Sequence, residues 1–463
     1  MTRKLVAGVD SSTQSVKIVV RDAETGELVR EARGSHPDAT EISPSKWLSE
    51  LTNSTKGLLD DVEAISIGAQ QHGMVVIDDN KQVVRDALLW NDTRSAQAAT
   101  DLIKELGGPN KWADAVGSVP VASFTVTKLR WLANNEPDNA KKVSGVMLPH
   151  DWLTWQLMGT PDEYVTDRGD ASGTGYWSPQ TNEYRKDLLK LALGKEVQLP
   201  RVASPNEIIG QTTTGISVAP GTGDNMAAAL GLGAATGDIV ISLGTSGTAY
   251  TVSANPTNDA SGIIAGFADA TGNYLPLACT LNAARVINAG AAVLNVSLDQ
   301  FADLALTAKP GADGLVLLPF LDGERTPNLP NAKGSMHGLT RSNLTPANFA
   351  RACIEGMLCS LAEASDVITN FGQGTKPNRV VLIGGAAASK AVQEIAATLF
   401  NVPVHIPPAA EYVADGAARQ ASWALSGSKN PPAWEIKGSV VKQVNYQESV
   451  RKAYREAFQE SYV

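Results

Sequence analysis

The residues best placed to do chemistry in this chain form one short run, Gly221-Thr222-Gly223-Asp224-Asn225. Its two glycines permit a tight turn, and the small residues that follow, Met226 to Ala229, read as helix. Asp224 falls where a helix N-cap is expected. There the helix dipole and the free backbone N–H groups would hold the carboxylate ionised and fixed in direction, as a general base must be. Taken alone, it reads as a plain helix cap. Other polar clusters give it company. Asp10 precedes the tip Ser11-Ser12-Thr13-Gln14-Ser15, whose hydroxyls, amide and N–H groups could wrap a phosphate while the carboxylate faces its metal. On its own, that segment is an ordinary polar turn. Gln70-Gln71-His72-Gly73-Met74 ends a buried apolar run, and His72 could hydrogen-bond a sugar or polyol hydroxyl. Trp90-Asn91-Asp92-Thr93-Arg94 suits a carbohydrate pocket wall, or equally a Trp-anchored loop held by an internal Asp–Arg pair.

The elements that would carry these groups are strands and helices in alternation. Leu5 to Asp10 and Val16 to Val20 read as the arms of a hairpin, with a third strand near residues 28–32. Ile239 to Val252 repeats the pattern: an apolar strand, the tip Gly244-Thr245-Ser246-Gly247, then an apolar strand again. Two such copies imply two similar domains, with boundaries near 1–235 and 236–463, and the Asp224 turn near their junction. Two phosphate-gripping hairpins with a carboxylate between them would make a phosphoryl-transfer site. Arg379 to Ile383 is a strand leading into Gly384-Gly385-Ala386-Ala387-Ala388-Ser389, a junction a nucleotide could approach closely. Helices are expected over residues 44–60, 126–134, 148–158, 225–234, 283–295, 346–371, 389–400, 415–424 and 444–460. Residues 159–178 are too long and polar for a simple connection and read as a functional or domain-edging loop.

Composition sets the outer bounds. At 463 residues the chain exceeds what one hydrophobic core usually serves. A formal charge of −9 argues against nucleic acid or an anionic membrane as partner, so bound phosphate must be met by local donors. The three cysteines, Cys279, Cys353 and Cys359, have no metal-ligand spacing and suit reduced core residues of a cytoplasmic protein. Asp10 interrupts the N-terminal apolar run too early for a signal peptide, and no run is long enough for a membrane span.

Over essentially its whole length the chain resembles the FGGY family of carbohydrate kinases. The resemblance rests chiefly on Ser242-Leu243-Gly244-Thr245-Ser246-Gly247, Gly221-Thr222-Gly223-Asp224-Asn225, and Gly384-Gly385 through Ser389. It implies an α/β fold of two duplicated actin-like/ribonuclease H-like ATPase domains, the hexokinase/Hsp70/actin superfold, with a cleft between them. It also implies phosphoryl transfer from ATP, with Mg2+, to a sugar hydroxyl. Gln71-His72 and the Trp90 segment suggest a xylulose-like ketose as acceptor. On this resemblance Asp224 is the general base, and Gln71, His72, Trp90, Asp224 and Asn225 meet the sugar. Ser12, Thr13, Gln14, Gly244, Thr245, Gly290, Gly384, Gly385 and Ser389 address ATP, and Asp10 sits by the metal. Two departures stand out: Ser12 occupies a position where relatives often carry glycine, and Ala386 one where a third glycine is common. A homodimer is compatible with the family. Another ketose, polyol or sugar acid as acceptor, and an actin- or Hsp70-like ATPase without a sugar, are the alternatives.

Overall fold

A computed structural model describes residues 3–371 and 376–462. The chain falls into two compact units. The first holds the chain up to Ala234 together with Ala254–Leu275 and Ala410–Glu435; the second holds Ala235–Ser253, Pro276–Ala409 and the chain from Ile436 onward.

The first unit is organised on a mixed sheet. Strand Leu5–Ser11 turns back antiparallel into Ser15–Asp22, which pairs antiparallel with Leu28–Ser35. On its other side Leu5–Ser11 runs parallel to Val62–Ala69. The short strand Thr222–Gly223 runs parallel to the end of Val62–Ala69 in turn, with Thr222 opposite Gly68 and Gly223 opposite Ala69. Leu5–Ser11 is buried along its whole length, which is why it reads as an unbroken apolar run rather than an alternating one. One face of the sheet packs on a core that includes Ile18, Trp47, Leu51, Ile65, Ile67 and Trp155. The other face is covered by the helix Tyr412–Ser426, whose Ala414, Ala418 and Ala421 pack on Val6, Val19 and Ala64.

The second unit repeats this plan. Asp238–Leu243 and Gly247–Thr251 form an antiparallel hairpin, and Gly247–Thr251 pairs antiparallel with Tyr274–Thr280. Asp238–Leu243 runs parallel to Arg379–Ile383, which runs parallel to Val404–Ile406. The duplicated α/β architecture expected from the two hairpins is therefore present. The helix Pro346–Phe371 packs in this unit and is buried over most of its length.

The elements depart from expectation in a few places. The first long helix stops at Ser54 rather than running to residue 60: Thr55 caps it, donating its N–H to the Leu51 carbonyl, and Gly57, at φ +69°, turns the chain before Leu58 and Leu59 pack on the core. Residues 159–178 are not a plain loop: Val165–Thr166 is a strand and Arg168–Ala171 a single helical turn capped by Asp167.

Candidate active site

Strand register assembles the first cluster. Asp10 lies opposite Gly68 on the parallel neighbour, and Gly223 lies opposite Ala69. The C-terminal ends of three parallel strands thus bring together Asp10, the Gln70-Gln71 segment and the turn leading into Asp224. Crevices at such strand ends are where α/β sheets bind ligands.

Asp224 does not sit at the N-cap. Gly223 takes that position in extended conformation, and Asp224 opens the helix Asp224–Gly231. Its Oδ1 accepts hydrogen bonds from the Asn225 backbone N–H and from Asn225 Nδ2, both at 2.8 Å. Nor do the helix terminus and its N–H groups hold the group firmly ionised. Burial, and then the charge of Asp10, push its pKa up to about 7 despite the Asn225 bonds. The side chain is half-buried, so it keeps an open side. Asn225 Nδ2 also donates to Gln71 Oε1 at 3.3 Å, which links the turn to the end of the central strand. Gln71 is itself buried.

Asp10 lies opposite Lys17 across the hairpin, and its Oδ2 accepts from Lys17 Nζ at 3.3 Å. Burial raises its pKa to about 6, against the pull of Lys17. Its Oδ1 is buried and makes no hydrogen bond within the protein. A buried carboxylate oxygen without a donor, on a group whose ionisation is opposed by burial, fits a cation or its bound water. Among the described residues no cluster of three or more His, Cys, Asp or Glu forms a metal cage. Mg2+ prefers such a sparse protein contribution, with phosphate and water supplying its other ligands.

The tip beyond Asp10 is pre-formed. The Ser12 backbone N–H and Oγ both donate to the Ser15 carbonyl at 2.9 Å, and Thr13 Oγ1 accepts from Trp90 Nε1 at 2.9 Å. Gln14 is exposed at the apex. Trp90, at 37 % exposure, therefore joins its loop to the hairpin that carries Asp10. Arg94 Nε donates to Asp92 Oδ1 at 2.9 Å, the internal Asp–Arg pair expected of a Trp-anchored loop. His72 is buried with φ +67°; its Nδ1 donates to the Gly173 carbonyl at 2.7 Å, and its ring stacks on Phe124 with centroids 4.8 Å apart.

In the second unit the same logic places Gly244 and Thr245 beside Gly384 and Gly385, since Ser242 lies opposite Ile383 on the parallel pair. Gly384, at φ +91°, leaves no room for a Cβ, which would lie 2.8 Å from the Leu243 backbone. Gly385 faces open space, and Ser389 is the N-cap residue of Lys390–Leu399. Gly290 differs from the other expected nucleotide residues. It is buried inside the helix Ala284–Leu294, and a Cβ there would meet Phe301 at 2.7 Å and Cys353 at 3.1 Å, so its smallness serves helix packing.

The matched sequence now has a geometry behind it, and comparison with known proteins agrees. Residues 5–233 match the N-terminal domain, and residues 239–425 the C-terminal domain, of the FGGY family of carbohydrate kinases. The chain belongs to that family. A Streptomyces coelicolor protein named xylulose kinase is 46% identical over 438 residues, covering 91% of this chain and 88% of its own. The crystal structure of xylulose kinase from Bifidobacterium adolescentis superposes with a TM-score of 0.93 at 45% identity, covering 99% of this chain and 100% of that one. Plasmodium falciparum glycerol kinase with ADP shares the fold, with a TM-score of 0.89 at 18% identity over 100% of this chain and 99% of that one. As an FGGY kinase the chain uses ATP and a sugar as its substrates. Among the described residues no helix is long and apolar enough to cross a membrane.

A buried polar cluster adjoins the turn that leads into Asp224. His150 is fully buried with its Nε2 3.2 Å from Asp151 Oδ1 and from Asp170 Oδ2, and 3.5 Å from Asp167 Oδ1. Burial opposes its charge, but the three carboxylates outweigh burial and hold its pKa well above the ordinary value. Asp167 Oδ2 in turn accepts from Thr222 Oγ1 at 2.7 Å, tying this cluster to the turn before Asp224. Asp167 and Asp170 fall in the 159–178 segment that reads as functional or domain-edging, but nothing in the sequence pairs them with His150.

Proposed function

We propose that this chain transfers the terminal phosphoryl group of ATP to the 5-hydroxyl of D-xylulose, with Asp224 as general base. One observation carries the mechanism: a half-buried carboxylate at the ends of three parallel strands, with a pKa raised to about 7. A base poised near the working pH combines a useful ionised fraction with enough proton affinity to take the hydroxyl proton as the O–P bond forms. The choice of sugar is supported by the names of the Streptomyces and Bifidobacterium relatives.

Gln71, Asn225, His72 and Trp90 would orient the ketose, with the polar tips on hydroxyls and the rings on C–H faces. Asn225 has a second task, since its amide sets the direction of the Asp224 carboxylate. Ser12, Thr13 and Gln14 would address phosphate oxygens. Gly244 and Thr245 would do so as well, with Gly384, Gly385 and Ser389 as the backbone platform for the nucleoside. Asp10 would hold Mg2+ or its water, and that ion, when bound, neutralises charge on the phosphates. A cytoplasmic location and a homodimeric assembly accompany this reading; cell fractionation and sedimentation test them.

The functional test is ADP release with D-xylulose, D-ribulose, glycerol and gluconate as acceptors, on wild type and Asp224→Ala in parallel. D-Xylulose accelerates ADP release most strongly, and Asp224→Ala abolishes the acceleration while still binding ATP. Preference for another acceptor would refute the sugar assignment. Turnover of ATP indifferent to every sugar would refute the kinase mechanism.

A further inference from the structure

The two carboxylates of the proposed site hang from different elements, yet both elements rest on one helix that enters from far along the chain. Tyr412–Ser426 lies against the strand carrying Asp10 and against the helix opened by Asp224, and glycines bring the backbones together. A Cβ on Gly8 would lie 1.9 Å from the Ala414 carbonyl oxygen, and one on Gly416 would lie 1.8 Å from that of Ala227. A Cβ on Gly231 would lie 2.2 Å from the Tyr412 carbonyl oxygen. Contacts this close leave the three elements no slack in their spacing.

Polar contacts run from this scaffold to each carboxylate. Just before the helix begins, Glu411 Oε2 holds Lys17 Nζ at 2.8 Å, and Lys17 holds Asp10. At mid-helix, Gln420 is fully buried, and its amide grips Gly221 in both senses. Its Oε1 accepts from the Gly221 N–H and its Nε2 donates to the Gly221 carbonyl, each at 3.0 Å. The same Oε1 accepts from Ser66 Oγ at 2.5 Å, on the central strand. Gly221, at φ +83°, opens the turn that delivers Asp224. Its backbone finds in this side chain both a donor and an acceptor, which a hydrophobic residue of the same size could not provide.

We propose that Gln420 is a positioning residue for phosphoryl transfer: its amide clamp on Gly221 fixes the turn so that the Asp224 carboxylate is held in line with the acceptor hydroxyl. The inference rests on Asp224 being the base. It assigns to the return helix a catalytic consequence beyond covering the sheet.

The test compares Gln420→Leu, Gln420→Glu, Ser66→Ala and Asp224→Asn, each measured for kcat, for KM toward D-xylulose and ATP, and for Tm. Gln420→Leu removes the clamp. Gln420→Glu keeps the length and the acceptor toward the Gly221 N–H and Ser66 but cannot donate to the Gly221 carbonyl when ionised, so it decides the question if the leucine variant does not fold. Ser66→Ala removes only the bond to the strand and leaves the clamp in place. A misplaced base lowers kcat by about ten-fold or more in the Gln420 variants. Both KM values stay within about two-fold of wild type, because ground-state binding is not what the clamp serves. Ser66→Ala keeps kcat even where its Tm falls as far as that of Gln420→Glu. For Gln420→Glu, lowering the pH protonates the carboxyl, restores the donor and recovers kcat relative to wild type. A folded Gln420→Leu variant with undiminished kcat would overturn the proposal, as would a Gln420→Glu variant that matches wild type on the alkaline side, where its buried carboxyl is ionised, or a Ser66→Ala variant that loses kcat in the same proportion. Asp224→Asn separates the two levels: if its kcat stays within about ten-fold of wild type, the base assignment itself is wrong, whatever Gln420 does.

Discussion

Asn225→Ala tests how the base is tuned. In the wild type, burial and the neighbouring Asp10 raise Asp224 to about 7, and the Asn225 amide works against them by donating to Oδ1 at 2.8 Å. That donor stabilises the ionised form only, so its loss raises the pKa further. A hydrogen bond to a charged acceptor contributes about 1.5–3 kcal/mol. Asp224 is half-buried, so water replaces part of it and the contribution falls just below that range, to about 1.4 kcal/mol, or about one pH unit. The assay is kcat/KM for the sugar against pH with the sugar and MgATP both well below saturation, which reports the free enzyme's base. Wild type shows an acid limb centred near pH 7, rising with pH. Asn225→Ala shifts that limb upward by about one unit, so activity falls several-fold near neutrality and recovers on the alkaline side. A limb that stays in place, or a loss equal at every pH, would show that Asn225 serves sugar binding alone. A wild type with no limb near neutrality would refute the raised pKa itself.

Asp224→Asn lowers kcat by about two to four orders of magnitude while ATP binding, followed by calorimetry, persists. The same variant also melts higher than wild type, by a margin that widens as pH rises from about 4 and levels off near 7. The reason is that a carboxyl whose folded pKa is raised binds its proton more tightly folded than unfolded, so its ionisation destabilises the native state as pH passes from the unfolded value toward about 7. Gly221→Ala places a Cβ 2.6 Å from both His150 Nδ1 and the Ile67 carbonyl oxygen at φ +83°, and should yield protein that is insoluble or melts far below wild type. Gly290→Ala forces a methyl against Phe301 and Cys353; Tm falls while KM for ATP stays unchanged, whereas a nucleotide-lining role would move KM instead.

The parts legible in the sequence are those encoded locally. Both hairpins follow from apolar runs around a polar tip, and the helix Pro346–Phe371 from its uninterrupted periodicity. Asp224 was recognisable because glycines, an acid and an amide at a strand–helix junction form a short pattern. Its electrostatics were not. The helix terminus is visible in the sequence and argues for a low pKa, but burial and the approach of Asp10, which argue for a high one, depend on the register of strands far apart in the chain. The same limit hid Gln420, which looks like any polar residue in an alanine-rich helix until Gly221 is found 199 residues away. Gly290 is ambiguous in the sequence, since a glycine among small residues signals close approach without saying whether a ligand or a neighbouring helix approaches; the structure shows Phe301 and Cys353 beside it.

The duplication also shows how one hairpin can be fitted to two tasks. In the first unit the penultimate pair at the tip is Asp10 opposite Lys17; in the second, the corresponding pair is Ser242 opposite Thr248. A carboxylate beside a phosphate is tolerable only where a cation stands between them, and Lys17 alone does not bring the Asp10 pKa down to its ordinary value. The first tip is therefore suited to a phosphate accompanied by metal. The second, with hydroxyls and backbone N–H groups and no acid at that pair, is suited to a phosphate directly. Exchanging the charges tests this division. Ser242→Asp in the second hairpin should raise KM for ATP and steepen the dependence on Mg2+, because repulsion between carboxylate and phosphate is relieved only by added cation. Asp10→Asn in the first should leave nucleotide binding in place but flatten the response of kcat to Mg2+. Equal effects of the two substitutions on Mg2+ dependence would mean that the tips are interchangeable and that this asymmetry carries no function.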